Sequence, residues 1–334
     1  MQNRSEEKPL VSIIVPCRYI DEYTRETLAM LRMLDYPNYE IIVVPDEADE
    51  GPDWVRIIPS GPVSPGKKRN IAKKEAKGDI LAYIDSDAYP EKNWLKIAVS
   101  QLKTYDAIGG PAVTPPNDDW RRRVSGYIYS SILMGSISLR FKENKEEINE
   151  NIDVLHSVNF VAKRNVIEEI GGWNEEIWPG EDTLLCSLLR KNKKKLAFIG
   201  NMIVYHHRRP IYREHLKQVA GYGYVRGYLA GRFGKDLARP IYFLPAILLL
   251  YVLFGPILSL KLGLLPYYGI TLTLYIVLTL VVALLEIPKS DKRFMVDFII
   301  GIILTHLTYG FYELAGLLGI VPKIFKKTLY KGTR

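Results

Sequence analysis

Cysteine occurs only twice in 334 residues, at Cys17 and Cys186. Two cysteines so far apart build no disulfide framework and show no metal-ligand spacing. Both stand in apolar contexts, which suits small buried hydrophobes. Their scarcity fits a reducing, cytoplasmic setting for the soluble part of the chain. Glutamine is also rare, confined to Gln2, Gln101 and Gln218 while Lys, Glu and Arg abound, a bias found in thermophile proteins. The opening MQNRSEEKPL has no apolar run of the kind a secretory signal needs, so the first domain is expected to stay on the cytoplasmic side. No internal repeat is visible. Neither a zinc ligand set nor an aromatic platform nor a basic heptad accompanies the positive charge, which argues against nucleic acid as a partner.

What is present is unevenly spread. The chain is charged and mixed up to about Arg239, and mostly apolar from Ile241 to Val321. The formal charge of +8 suits a partner that bears phosphates, such as a nucleotide-sugar or an anionic lipid. In the first part, LVSIIVP at 10–16, YEIIVVP at 39–45, WVRIIPS at 54–60 and DILAYID at 79–85 read as buried strands. Leu28, Leu31 and Leu34 fall at helical spacing after Thr24 and predict a helix over 22–34. Gly66 to Lys77 reads as a basic helix closed by Gly78 as its C′ residue. Strands alternating with helices at this spacing imply a mostly parallel, doubly wound α/β sheet. Its ligand is then expected beyond the carboxyl ends of the strands. Pro16-Cys17-Arg18, Asp46-Glu47 and Asp85-Ser86-Asp87 occupy those ends.

Further on, HSVNFVAKRNVIEEIGGWNE reads as strand, helix and Gly-Gly turn, and PGEDTLLCSLLRKN as a helix with Glu181 and Asp182 at its N-terminus. KLAFIGNMIVYHH gives two short strands, and 213–233 is a candidate interfacial helix. Three apolar segments follow at 241–260, 264–285 and 294–320, each long enough to cross a hydrocarbon core of roughly 30 Å. The third is interrupted by Thr305, His306 and Glu313. Lys289, Lys292 and Arg293 suit a cytoplasmic loop after two crossings. A third crossing puts Lys323, Lys326, Lys327, Lys331 and Arg334 outside, against the positive-inside tendency, so a re-entrant last segment is the alternative to the three crossings expected here.

Asp85-Ser86-Asp87 is a D-x-D motif at a strand end, where two carboxylates can hold Mn²⁺ or Mg²⁺ against a diphosphate. With it, VSIIVPCR, YEIIVVPDEAD, PGKKRNIAKKEAKGDILAYIDSDAYP, GGWNE with GEDTLL, and IVYHH follow one another in an order that resembles family 2 glycosyltransferases of the GT-A fold. The resemblance covers roughly residues 10–235. It implies that Asp46 contacts the nucleobase, Pro16 and Arg18 line the nucleoside pocket, and Lys67 and Arg69 reach the nucleotide. Asp85, Ser86 and Asp87 would then hold donor and metal. By the same resemblance Asp182 is the catalytic base of an inverting displacement, and His206, with His207 as its alternative, is a candidate to complete the metal shell, although a satisfied structural histidine is the favoured reading there. Trp178 and Trp173 are candidates to stack on sugar rings, and Trp173 is equally suited to the core. Glu181 and the arginines Arg208, Arg209 and Arg213 are candidates for the acceptor or the diphosphate. Gln218 begins the nearest match to the Q-x-x-R-W motif of cellulose and hyaluronan synthases, but Gly221 and Tyr222 replace its arginine and tryptophan, which weakens the case for a processive polymer synthase.

The expected organisation is a cytoplasmic GT-A domain over 1–205, an interfacial helical region over 206–238, a transmembrane domain of two to three helices over 239–322 and a basic tail over 323–334. The arrangement resembles archaeal mannosyltransferases of lipid-linked N-glycan assembly, with a minimal cellulose-synthase-like architecture. That resemblance implies an integral membrane enzyme that moves mannose from GDP-mannose, with Mn²⁺ or Mg²⁺, to a hydroxyl of a polyprenyl- or dolichyl-linked glycan. The residues do not separate a GDP- from a UDP-linked donor. Transfer to a bare lipid phosphate needs no base, so Asp182 favours a hydroxyl acceptor. Two or three helices cannot by themselves enclose a polysaccharide path; a homo-oligomer could, and a processive synthase using a UDP-sugar is one competing reading. A membrane scaffold that retains a nucleotide-binding fold is the other, and the joint presence of Asp85, Asp87 and Asp182 speaks against it.

Overall fold

The computed structural model describes residues 8–144, 147–151, 153–234 and 237–322. The basic tail at 323–334 and part of the charged loop after Phe141 lie outside the described residues. In chain order the elements begin β1 (Val11–Pro16), α1 (Glu22–Leu31), β2 (Tyr39–Val44), β3 (Arg56–Ile57), α2 (Pro65–Glu75) and β4 (Ile80–Tyr83). They continue with β5 (Ala88–Pro90), α3 (Trp94–Gln101), β6 (Ala107–Gly109), β7 (Ala112–Val113), α4 (Trp120–Ser130), β8 (Ile148–Asn149) and β9 (Phe160–Lys163). Then come α5 (Arg164–Glu169), α6 (Glu181–Lys191), β10 (Leu196–Ile199), β11 (Val204–His206), α7 (Arg213–Phe233), α8 (Leu244–Lys261), α9 (Leu265–Glu286) and α10 (Met295–Leu317). Two compact units emerge. The first holds the described residues up to Val113 and from Lys142 to His207; the second holds Thr114–Phe141 and the described residues from Arg208. Residues 114–141, expected to continue the first domain, thus belong with the second unit.

The first unit is built on an eight-stranded sheet in the order β3-β2-β1-β4-β9-β6-β10-β8. Only β9 and β8 run against the rest. In β1, Val11, Ile13 and Val15 enter one apolar core while Ile14 enters the other, so both faces of the strand are covered. That is why its sequence is a continuous apolar run and not an alternating one. A second sheet, β5-β11-β7, is made of strands of two or three residues; it pairs His206 with Ala88. Sequence periodicity gives no signal for strands this short. The expected strand over 54–60 shrinks to Arg56–Ile57, the residues that pair in register with β2, with one further bond from Ile58 N to Val43 O at 2.9 Å.

Two local expectations are corrected. Helix α1 is capped by Asp21, whose carboxylate accepts from Thr24 N at 2.9 Å, and it ends at Leu31, leaving Leu34 buried beyond it. Gly78 is not a C′ residue, because α2 ends at Ala76 in an extended conformation. Glycine is required there by crowding: a Cβ would stand 2.6 Å from Leu10 O and 2.7 Å from Ser12 N.

In the second unit, α7 and α10 lie along one another on a seam of glycines. A Cβ on Gly223 would meet Tyr309 O at 2.5 Å, and one on Gly227 would meet Glu313 O at 1.9 Å. From the other side, a Cβ on Gly316 would meet Tyr224 O at 2.0 Å. Small residues at such spacing let backbones touch. Helices Pro240–Lys261, Leu265–Glu286 and Lys289–Leu317 are long and apolar enough to cross a membrane. On α8 and α9, Leu253, Phe254, Ile257, Ile270 and Leu274 are each more than half exposed, a surface suited to lipid and not to water. The polar residues of α10 do not break it: the helix is continuous over 23 residues, about 35 Å by its rise per residue. Thr305 donates to Gly301 O at 2.7 Å, and His306 bonds Tyr275 at 2.8 Å and Leu133 O at 3.2 Å. Lys292 donates to the last carbonyls of α9, at Ala283 and Leu284, a cation in the place the helix end favours.

Candidate active site

Strand β4 is apolar and fully buried, and the chain turns sharply after Ile84, so the carboxylates of Asp85 and Asp87 appear just past the sheet. Asp85 is partly exposed and Asp87 nearly buried. The short β11 runs antiparallel to β5 and sets His206 beside this turn, with Nε2 3.2 Å from Asp87 Oδ1. Asp85, Asp87 and His206 each offer an atom, all within 4.8 Å of one another. Two carboxylate oxygens and one imidazole nitrogen fit Mn²⁺, which accepts both donor types, better than they fit Mg²⁺, which favours oxygen. His207 points elsewhere: its Nε2 lies 2.9 Å from Glu26 and its ring packs on Tyr23. Ser86 holds the turn to α1, its carbonyl accepting from Thr27 Oγ1 at 2.9 Å.

The ends of β1 and β2 are joined by a lysine. Asp46 accepts from Lys68 Nζ, and the same nitrogen donates to Cys17 O at 2.5 Å. Arg18, half exposed, reaches within 4.0 Å of Asp46 and follows Pro16 at the strand end. The expected Lys67 is exposed, and its backbone N–H takes the Ser64 cap of α2 at 3.2 Å. Lys68, one position on, is buried and carries the contact to Asp46.

Arg69 also departs from expectation. It is 2% exposed and spends its two terminal nitrogens on carboxylates, Nη2 on Asp85 and Nη1 on Glu181, each at 2.9 Å. Its guanidinium lies 4.7 Å over the Trp173 ring. Trp173 is a core residue, edge-on to Tyr83 at 5.0 Å and to Phe160 at 5.6 Å. The Gly-Gly-Trp loop is seated on α2 through Asn70, which donates to Trp173 O at 2.8 Å and accepts from Trp173 N at 2.9 Å.

Gly180 starts α6 with φ 110°, a conformation that glycine adopts without strain. It turns Glu181 inward, 4% exposed, and leaves Asp182 half-buried. Burial pushes the Glu181 carboxyl up to about 7, while the Arg69 guanidinium pulls it the other way. Glu181, a candidate for the acceptor or the diphosphate, is thus buried with its Oε1 on Arg69 Nη1. Asp182 Oδ1 accepts from Thr183 N at 2.7 Å, and half-buried Trp178 stands four residues before it.

Four remaining candidates belong to the second unit. Arg208 is buried, with its guanidinium 4.6 Å over Phe141 and Nε 3.3 Å from Thr114 Oγ1. Arg209 is half-buried, Arg213 is the exposed first residue of α7, and Gln218 accepts from Tyr129 at 3.2 Å. Lys68 was missed by sequence reasoning because a run of basic residues on a helix carries no mark of which one points inward.

Residues 12–171 match the model of glycosyl transferase family 2. A glycosyltransferase AglE of Haloferax volcanii is 24% identical over 219 residues, spanning 60% of this chain and 68% of its own. A dolichyl N-acetyl-α-D-glucosaminyl phosphate 3-β-D-2,3-diacetamido-2,3-dideoxy-β-D-glucuronosyltransferase of Methanococcus voltae is 21% identical over 331 residues, 91% of this chain and 96% of that one. Other curated relatives are longer, and the chain spans about half their length. Among solved structures, a mannosyltransferase from Pyrobaculum calidifontis in complex with GDP-Man and Mn²⁺ superposes with a TM-score of 0.54 at 18% identity, covering 94% of this chain and 88% of the other. The sheet order, the strand-end carboxylates and the matched family model agree: the chain carries a family 2 glycosyltransferase domain with the GT-A fold.

Proposed function

We propose that this glycosyltransferase transfers mannose from GDP-mannose, with inversion, to a hydroxyl of a polyprenyl- or dolichyl-linked glycan at the membrane surface. The observation that carries the reading is the convergence of Asp85, Asp87 and His206 in the same unit as a half-exposed Asp182 at a helix N-terminus. Asp85, Asp87 and His206 would hold Mn²⁺, which when bound offsets the charge of the leaving nucleoside diphosphate. Asp46 and Arg18, beyond the ends of β2 and β1, would contact the nucleoside. Asp182 takes the proton of the acceptor hydroxyl as its oxygen attacks the anomeric carbon. The new C–O bond forms while the anomeric C–O bond to phosphate breaks, and the nucleoside diphosphate leaves with the electron pair.

Support for a lipid-linked acceptor comes from the three apolar helices and from the dolichyl phosphate substrate in the name of the Methanococcus voltae relative. The choice of GDP-mannose leans on the Pyrobaculum calidifontis neighbour. Support for a cytoplasmic catalytic unit comes from the basic residues Lys289, Lys292 and Arg293 after the second apolar helix. The test uses full-length protein in detergent with GDP-mannose, UDP-N-acetylglucosamine, Mn²⁺ and a lipid-linked glycan. Asp182→Asn should lose about 10²–10⁴ of kcat, the span general-base catalysis supplies. Asp85→Asn should lose Mn²⁺-dependent stabilisation by GDP. Turnover of Asp182→Asn at the wild-type rate would remove the proposed mechanism.

A further inference from the structure

Asp85 and Asp182 come from segments far apart in the chain, and one side chain joins the turn that holds the first to the helix that holds the second. Arg69 sits within α2, nearly free of solvent, with Nη2 on Asp85 Oδ1 and Nη1 on Glu181 Oε1, both at 2.9 Å. Glu181 is the residue next to Asp182. Trp173, 4.7 Å beneath the guanidinium and itself held edge-on by Tyr83 and Phe160, restricts rotation of the fork. Arginine's rigid planar head is suited to holding two carboxylates at a set separation, which the flexible point charge of lysine is not.

The first turn of α6 buries Thr183 and Leu184 but has no side-chain cap. Its N-cap is Gly180, which offers no side chain to cap the helix. Glu181, held by Arg69, ties this turn to the D-x-D turn through a polar bridge. A buried Asp-Arg-Glu triad is an unpromising source of stability, since apolar residues of equal volume commonly do as well. What such a triad supplies is registry.

We infer that Arg69, anchored by Glu181, is a positioning residue that sets the spacing between Asp85 on the donor side and Asp182 on the acceptor side. The inference rests on the assignment of Asp182 as base. Arg69 engages one oxygen of Asp85, and that carboxylate has two, so the clamp is compatible with a metal on the same residue. Its effect is on geometry between the two reacting partners. Displacement of a catalytic group by about 1 Å costs on the order of 100-fold in rate.

The experiment compares full-length wild type, Arg69→Lys, Glu181→Gln and the double variant. Affinity for GDP and for UDP, each with Mn²⁺, is read from thermal-shift titrations, and kcat and KM from transfer to lipid-linked glycan. The expected result is a fall in kcat of about 30- to 100-fold with nucleotide affinity within about threefold of wild type. The double variant should be no slower than the slower single, because both lesions break one clamp. Unchanged kcat in both singles would overturn the inference. A parallel loss of nucleotide affinity would make Arg69 a donor-binding residue, and multiplied losses in the double would separate Arg69 from Glu181; either also overturns it. Should Arg69→Lys show no folded transition, Glu181→Gln, which keeps the volume and an acceptor oxygen, decides alone. A fully active Asp182→Asn sinks the base assignment separately, since the Arg69 result is read from the split between binding and turnover.

Discussion

A histidine can titrate only where its charged form is tolerated, and His215 has no such room. It is fully buried, with Nδ1 2.7 Å from Ser125 Oγ and Nε2 2.9 Å from Thr305 Oγ1. The Tyr129 ring lies 4.9 Å away. Burial first, and the Arg208 charge second, lower its pKa from 6.5 to about 3. Unfolded, the ring binds a proton below about 6.5; folded, it does not until near 3. The neutral ring's contribution is therefore complete above about pH 6.5 and is lost as pH falls toward 3, by up to about 1.4 kcal/mol per unit. Thermal melts of the full-length protein should show Tm dropping between pH 6.5 and 4, and His215→Gln should flatten that dependence; a slope unaltered by the substitution would assign it elsewhere. At this scale the grouping of Asp85 and Asp87 was legible from the D-x-D itself, and His206, which lies with them, was named in the sequence as a ligand candidate though a structural role was favoured. The choice of Lys68 over Lys67 was not legible, because adjacent helical residues point about 100° apart and the burying face is decided by the ends of β1 and β2. The two carboxylate partners of Arg69, Asp85 and Glu181, were out of sight in sequence for the same reason.

Among elements, the α7–α10 seam depends on the absence of side chains at Gly223, Gly227 and Gly316. Gly227→Ala should force the helices apart, since the new methyl meets Glu313 backbone at 1.9 Å and Leu317 N at 2.8 Å. A cost of about 1–3 kcal/mol is expected from overpacking, seen as a lower Tm. Gly269→Ala on α9, where nothing lies within 4 Å, is the control and should be neutral or slightly stabilising. Equal melts for the two variants would mean that the seam is not close-packed. The four-residue spacing of Gly223, Gly227 and Gly231 gave no reading from sequence alone, because the helix it packs against is set by the fold. Long apolar runs such as β1, β2 and β4 were read correctly because both of their faces are buried. The strands β5 and β7 escaped, being too short for any period, while β11, which delivers His206, was read within the two short strands of 195–207.

Across the whole molecule the shift from mixed to apolar composition near residue 240 announced the three helices plainly. The return of 114–141 to the second unit was hidden, because a basic, apolar-alternating stretch looks alike in either unit. Helices α8 and α9 are joined through Leu262–Leu264, and α9 and α10 through residues 287–294. If all three cross, these two turns lie on opposite faces. With a membrane-impermeant maleimide, Leu262→Cys should label on intact cells and Lys289→Cys only after lysis. Labelling of both from one side would mean that α9 does not span.

The two cysteines give that measurement an unexpected simplicity. Cys186 is fully enclosed, its sulfur accepting from Leu155 N at 3.3 Å. Cys17 is nearly so, and burial lifts its thiol to about 12, leaving almost no thiolate at neutral pH. The folded chain is thus expected to react only slowly with alkylating reagents, a baseline checked by labelling the unsubstituted protein. Each introduced thiol reports alone on an otherwise unaltered enzyme, and the late appearance of a native signal would register unfolding.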